Sequence, residues 1–586
     1  MRVNTILKFV TLSVFFTLLL SITAYSQTTG SIGGTVVDET NQPVLGAIVK
    51  VVDKPGLGAE TDASGEFLIL NVDVGTYVIE VSYAAYTTTR IGGVKVSVDQ
   101  RTKLGVIKMQ NITTEVVEVT AERKGIDVEQ SGRQINQEQI ENTGIRGINN
   151  LVSKTAGVVQ DERGGQINIR GGRTSENLII VDGVSTSNPL DGTSTASVPN
   201  SLLQEISVLT GGFGAEYGNA LSGVINVTTK GGSDIYTGSL EGITDAFAGD
   251  WIKTTSQQYN LYNVSIGGPL IPTKDLSRII NFYGSVERQY LGVRSSSWIA
   301  DQVFPNGIIP NYHLSTWSYS GRLSFNLTDL KKPFPINLKF GALITNQEGT
   351  RWRNPSTGAT PLAYWKTNSF RAPADEINDR QLYGRIIHNV SSKFFYELQV
   401  NYYQTKNLLS DAFFKDQWFR YGDTSSVPGL SVPGQNVQGN TLGPDATYQG
   451  LFITPNQVYN LYQQTDVSYI GGKIDATWAN TSNKYGDHEL KFGGEFRKHT
   501  LRKMEFNPAR LANNPLDSTG ALLYDPNEIW YGTNVLLNAY GYDNIKDQYG
   551  NQILSASEIL PKEPIVAAAY LRDKVDFGDF TMNLGL

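Results

Sequence analysis

The residues that look most capable of chemistry lie in TGGFGAEYGNALSGVINVTTKGG, Thr210 to Gly232, which holds seven glycines. Glycine at this density places backbone close to something: a nucleotide phosphate, a tight turn, or a wall. A dinucleotide fingerprint needs G-x-G-x-x-G between a strand and a helix, so that the helix N-terminus meets the pyrophosphate. Gly212 and Gly214 satisfy the first two positions, but Tyr217 stands at the third and Gly218 follows it. The next residues, SGVINVTTK, are β-branched and strand-like, and no G-x-x-x-x-G-K-[ST] occurs in the chain. A phosphate cradle is therefore not the reading.

Other chemistries fail on composition and spacing. The chain has no cysteine, which removes thiolate catalysis, disulfides and cysteine metal sites. Its four histidines, His313, His388, His488 and His499, lie far apart and form no H-x-x-x-H pair. No G-x-S-x-G elbow is present, and no spacing singles out a catalytic carboxylate pair. DNIKDQYGNQ lacks the glycine and spacing of a calcium loop and reads as an exposed turn. The sequence predicts no enzyme, no cofactor and no metal. A net charge of −7 without a basic cluster also argues against nucleic acid as a partner.

The elements that carry these residues fall into five zones. Arg2 and Lys8 precede the apolar run Phe9 to Ile22, with Ala24-Tyr25-Ser26 behind it. This reads as a secretory signal peptide over 1–26, too short for a spanning helix. From 27 to 112 short alternating strands dominate: Tyr77, Ile79, Val81 and Tyr83 share a face, and Val94, Val96 and Val98 repeat the pattern. Turn residues sit at Asn41-Gln42-Pro43 and Asp62-Ala63-Ser64-Gly65, so a small β-sandwich is predicted. GTVVDETNQPVLGAIVKV and TDASGEFLILNVDVGTYVIEVSYAAY resemble the carboxypeptidase regulatory-like domain, a carbohydrate-binding-like fold. That resemblance implies an accessory spacer or docking module in preference to a sugar site, and it brings no catalysis.

Residues 113–125, TTEVVEVTAERKG, form an extended linker. Glu115, Val116, Val117, Glu118, Val119, Thr120 and Ala121 could serve as a strand for β-augmentation, and the segment resembles the TonB box of outer-membrane active transporters. From 126 to 232 the texture is α+β. INQEQIENTG and RGINNLVSKTAGV suggest short helices, NLIIVDGVS carries a hairpin turn at Asp182-Gly183, and 185–199 is a polar loop. The ordered series INIRGG, NLIIVDGV and EISVLTGGFGAEYGNALSGVINVTTKGG resembles the plug domain of TonB-dependent receptors.

The stretch from 233 to 586 is aromatic-rich with period-2 segments. In FFYELQVNYYQ, Tyr396, Leu398, Val400 and Tyr402 alternate with Glu397, Gln399 and Asn401. In HELKFGGEFRKH, Leu490, Phe492 and Phe496 alternate with Glu489, Lys491, Glu495 and Arg497. One apolar face and one charged face fit strands with lipid outside and water inside. Connections alternate between tight, as at Ser391-Ser392-Lys393, and long, as from Lys406 to Asp466. About eleven strands are expected, where plugged transporters have about 22. With DFTMNLGL ending inside a strand, the expectation is the first part of a transmembrane antiparallel β-barrel in a fragment.

The receptor resemblance implies import of a nutrient across the bacterial outer membrane, with the plug on the periplasmic side and gated by ligand and TonB. Energy would come from the inner-membrane proton gradient. Implied partners are TonB with its inner-membrane proton-driven components, outer-membrane lipid, and the ligand. The sandwich ahead of the box is common in glycan importers and adds a SusD-like lipoprotein as a candidate, so substrates range over glycans, chelates and peptides. Carried onto this chain, Arg170, with Gly171 beside it in the plug motif, would form plug–barrel ion pairs, and Asp182 and Gly183 would close a plug hairpin. Gly214, Tyr217, Gly218, Gly223 and Asn226 would set the final plug turn, with GVINVTTK leading out to the first membrane strand. The alternative is an exported β-rich adhesin or surface scaffold that transports nothing.

Overall fold

The computed structural model describes residues 29–111, 117–120, 131–160, 165–247, 256–292, 313–350, 373–415, 462–480, 486–506, 536–541 and 560–586, apart from positions 53, 85, 195, 257, 274–275, 331–333 and 578–579. The signal-peptide region 1–26, the turn read at 543–552, and Glu115, Val116 and Ala121 lie outside the described residues.

The N-terminal strands form two sheets. Thr29–Val37 pairs antiparallel with Glu66–Asp73 and parallel with Arg101–Lys108. The second sheet runs Lys54–Glu60, Ile48–Val51, Gly75–Ser82, Thr89–Val96 and Val117–Thr120. Alternating apolar residues send Ile32, Val36, Phe67, Ile69, Ile79 and Val81 into one core between them. Its turns use the side chains expected at such sites: Asp62 Oδ1 accepts from the amides of Ser64 and Glu66 at 3.0 Å each.

The next segment builds a five-stranded sheet in the order Val184–Ser185, Asn177–Val181, Gly223–Thr229, Leu203–Gly211, Ser131–Asn136. Two short helices, Gln137–Asn142 and Ile148–Val152, cover it. The first helix starts at a capping box, with Asn136 and Gln139 exchanging side-chain-to-backbone bonds. Gly223–Thr229 is buried at every residue, parallel to Asn177–Val181 and antiparallel to Leu203–Gly211. GVINVTT is thus the central strand of this domain, and from it the chain passes through 230–236 to Thr237–Thr244, the first strand of the membrane sheet, as expected. Buried on both faces, the strand shows no clean apolar–polar alternation: Asn226, Thr228 and Thr229 are enclosed along with Val224, Ile225 and Val227.

From Thr237 onward the chain is a meander: consecutive antiparallel strands from Thr237–Thr244 to Thr581–Gly585 make a 12-stranded sheet, with Leu536–Tyr540 pairing beside Asp487–Phe506. Twelve strands are described, in keeping with the eleven or so expected. The strands flanking the long connection reach Asp411 and resume at Tyr462, so less of 406–466 is loop than its polar composition suggested. The first and last strands of the path do not pair with each other among the described residues.

The burial of this sheet is inverted relative to a water-soluble protein. Val400, Ile470, Leu240, Val264 and Ile266 are exposed, whereas Arg385, Glu397, Gln399, Lys473 and Asp475 are buried. Apolar side chains facing outward over a polar, filled interior are what lipid on one side and a plug on the other require. No helix of the described residues is long and apolar enough to cross a membrane.

Candidate functional site

The Gly-rich region and the Asp182-Gly183 turn come together where the plug meets the inner wall of the sheet. Asn177–Val181 and Val184–Ser185 are joined by Asp182 and Gly183, with φ of 47° and 78°. Two successive left-handed residues make the tight hairpin that the Asp-Gly pair signals. The Asp182 carboxylate turns back into the plug: it accepts from the Thr229 amide at 3.0 Å and the Thr229 hydroxyl at 2.5 Å. The hairpin tip is thereby fixed to the end of the central strand.

The wall then grips the tip by its backbone. Arg385 Nη2 donates to the Asp182 carbonyl at 2.8 Å and Gln399 Nε2 donates to the same oxygen at 3.1 Å. Gln381 Nε2 donates to the Val181 carbonyl at 2.8 Å, and the Tyr469 hydroxyl to the Ser185 carbonyl at 2.8 Å. Further along, Arg322 Nη1 donates to Thr229 O at 2.7 Å and the Tyr283 hydroxyl to Ser201 O at 3.1 Å. A Cβ on Gly183 would lie 2.8 Å from Gln399 Oε1 and 2.9 Å from Arg385 Nη2, so only glycine leaves room for these donors. Behind the donors Arg385 Nε is 3.2 Å from Glu397, and Lys473 Nζ is 3.4 Å from both Glu397 and Asp475, all four side chains being almost fully enclosed. This charge ladder holds the donors in place.

The remaining expected residues are dispersed. Tyr217 is buried against Leu178, Ile180 and Val224, and its amide donates to Gly214 O at 3.1 Å. Gly218 follows Tyr217 in that loop, beside the left-handed Asn219. Gly223 and Asn226 belong to the central strand and not to a turn; at Gly223 a Cβ would strike Ile169. Arg170 (φ 49°) and Gly171 (φ 77°) form a left-handed turn, and the Arg170 guanidinium lies over Gly211 within the plug. The plug–wall ion pairs anticipated for Arg170 are made, among the described residues, by Arg146 with Glu241 and by Glu216 with Arg572.

Sequence reading missed Arg385, Gln381, Tyr469 and Arg322. Their signal is the polar face of alternating strands, visible in Glu397, Gln399 and Asn401, but nothing local says which of those residues meets the hairpin. Val117–Thr120 is placed as the edge strand of the sandwich, pairing parallel with Thr89–Gly92. Sandwich and plug touch through Glu205, whose Oε1 accepts from the Val98 amide at 3.0 Å; burial pushes its carboxyl up to about 7. A cleft of about 510 Å³ between the two domains is lined by polar residues such as Lys95, Gln134 and Glu138 together with Val94, Val96 and Leu104, and none of its described lining residues is aromatic.

Comparison with known proteins agrees with this assembly. Residues 31–110 match the carboxypeptidase regulatory-like domain and residues 124–224 the TonB-dependent receptor plug domain. The TonB-dependent transporter Oar of Myxococcus xanthus is 26% identical over 303 residues, covering 47% of this chain and 28% of Oar. The vitamin B12 transporter BtuB of Vibrio vulnificus is 31% identical over 126 residues, 20% of this chain and 21% of BtuB. The chain therefore spans under a third of the length of these curated relatives. Among solved structures, the siderophore receptor PirA of Acinetobacter baumannii aligns over 78% of this chain and 56% of its own, at 17% identity and a TM-score of 0.48. A carboxypeptidase regulatory-like sandwich, a wall-gripped domain matching the TonB-dependent receptor plug and an outward-apolar antiparallel sheet follow one another in this chain, an order that supports a TonB-dependent receptor.

Proposed function

We propose that this chain acts in active import of a nutrient across the bacterial outer membrane, as a plug-gated, TonB-dependent transporter with the sandwich and plug on the periplasmic side. The observation that carries the reading is the wall's grip on the plug. Arg385, Gln399, Gln381, Tyr469, Arg322 and Tyr283 hold the domain through main-chain carbonyls. Hydrogen bonds of this kind each contribute about 0.5–1.5 kcal/mol net, and those from charged donors about 1.5–3. A plug held by many such bonds is firm at rest and yields contact by contact when force is applied to one end. The outward apolar face of the sheet favours this reading over an adhesin or surface scaffold, since a solvent-exposed β-domain would not invert its burial.

The force would enter at Glu115 to Ala121, the segment similar to the TonB box, through strand addition by TonB. Ligand binding on the outer side biases the plug only by its differential affinity for the two plug states. A SusD-like lipoprotein and a glycan substrate would accompany the sandwich extension if the transporter is of the glycan type; chelates and peptides are the other classes. The test is uptake in cells producing the full-length protein, before and after collapse of the proton gradient with an uncoupler. Uptake that stops while surface binding of ligand persists supports the reading, and uptake that continues refutes it.

A further inference from the structure

The sandwich is not suspended on a linker. It sits at the short-turn end of the membrane sheet, against residues next to the tight connections. Lys339 pairs with Asp73, Asn71 Nδ2 donates to Asn389 Oδ1 at 2.9 Å, and Leu68 and Leu70 pack with Phe395, Ile387 and Ala479. Arg101 Nη2 is 3.0 Å from Glu489 and Lys103 Nζ 2.6 Å from Asp576. Short turns mark the periplasmic end of outer-membrane barrels, so the domain stands in the periplasmic mouth, below the plug.

Its deepest contact is Asp99, at the turn between Thr89–Val96 and Arg101–Lys108. The Asp99 carboxylate pairs with Lys491 and, at 3.1 Å, with Arg572 Nη1, and that same nitrogen binds Glu216 of the plug. The four side chains are only 4–6% exposed. One guanidinium thus joins sandwich, plug and wall. Burial alone would raise the Asp99 carboxyl, but Lys491 and Arg572 outweigh it and hold the group well below the usual range.

We propose that the sandwich is the periplasmic leaf of a two-part gate: Asp99 keys it into the barrel mouth, and the plug cannot leave until the sandwich has moved. Removing the Asp99 charge leaves Lys491 and Arg572 buried with one anion fewer, a heavy penalty for keeping the domain seated. The sandwich in turn covers the plug through the Val98–Glu205 hydrogen bond and the 3.2 Å Lys95–Glu138 pair. Because Val117–Thr120 is the fifth strand of the sandwich sheet, a pull on it loads the sandwich first. That last step rests on the transport reading; the seating does not.

The test exploits the absence of cysteine from the chain. In the full-length protein in membranes, Ser207→Cys places a reporter thiol in the buried Leu203–Gly211 strand of the plug, and its labelling rate is followed at a fixed, sub-denaturing urea concentration. Asp99→Asn should raise that rate at least tenfold. Its φ of 54° is one that asparagine accepts, so the change removes charge without straining the turn. Conversely, joining Lys103→Cys to Asp576→Cys with a short bis-maleimide, while the reporter thiol is still buried, should slow the labelling at least tenfold. Labelling unchanged by the cross-link, or unchanged in Asp99→Asn, overturns the proposal. Neither arm requires ligand or TonB, so a failed transport assay leaves it testable.

Discussion

Arg385 and Asp182 lie 203 residues apart in the chain, yet the Arg385 guanidinium donates to the Asp182 carbonyl at 2.8 Å inside a fully enclosed site. The bond ties a membrane strand to the tip of the plug hairpin. Its strength depends on Glu397, which balances the buried guanidinium at 3.2 Å.

Arg385→Ala should loosen the plug more than any surface change. It removes the donor to Asp182 and leaves Glu397 with Lys473 as its remaining close cation. Breaking a buried pair from one side costs about 3–5 kcal/mol. Limited proteolysis of the plug in purified protein should show faster cleavage, whereas exposed Lys406→Ala should behave as wild type.

Gly183→Ala and Gly171→Ala separate backbone strain from crowding. Both glycines are left-handed, at φ 78° and 77°, and each substitution carries about 1 kcal/mol or more of strain. Only at Gly183 does the new methyl also meet the Gln399 and Arg385 donors; at Gly171 nothing lies within 4 Å. Gly183→Ala should therefore lower the urea midpoint of the plug clearly more than Gly171→Ala.

The sandwich–plug contact should weaken as pH rises. Glu205 is held neutral up to about 7 when docked, against an ordinary value of 4.5. The undocked form thus binds fewer protons between these values, and stability falls as pH rises from about 4.5 through 7, by roughly 3 kcal/mol in total. The protection factor of the Val98 amide against hydrogen exchange should fall over that window and level off above it. Glu205→Gln should flatten the dependence; an unchanged slope would show that another group is responsible.

The outward face of the sheet predicts a depth-dependent cost for charge. Val400 and Ile470 are each 64% exposed on neighbouring strands. Val400→Lys at a solvent-facing site would cost almost nothing, but against lipid it should cost about 2–4 kcal/mol near the bilayer midplane. Refolding into vesicles, read by heat-modifiable gel migration, decides between these surroundings.

Much of this arrangement is legible in the sequence where the determinants are local. Asp182-Gly183 announces its hairpin because two left-handed residues favour that pair, and Glu397, Gln399 and Asn401 announce an inward polar face by alternation. Nonlocal pairing is a different matter. Gly223–Thr229 lies parallel to a strand some 45 residues earlier, a choice made by burial on both faces that no turn signal encodes. Likewise, which wall residue meets Asp182 depends on the stagger of the whole sheet, so Arg385 could not be told from Arg380 by type. The seating of the sandwich on Lys491 and Arg572 joins domains separated by hundreds of residues and left no mark in either segment.

We propose that force applied at the segment 115–121 opens the plug. The direct measurement is energised uptake and surface binding of ligand in cells producing the full-length protein with residues 115–121 deleted. The account predicts uptake reduced to background with ligand binding at the surface intact. Uptake at the wild-type rate in that deletion would contradict it.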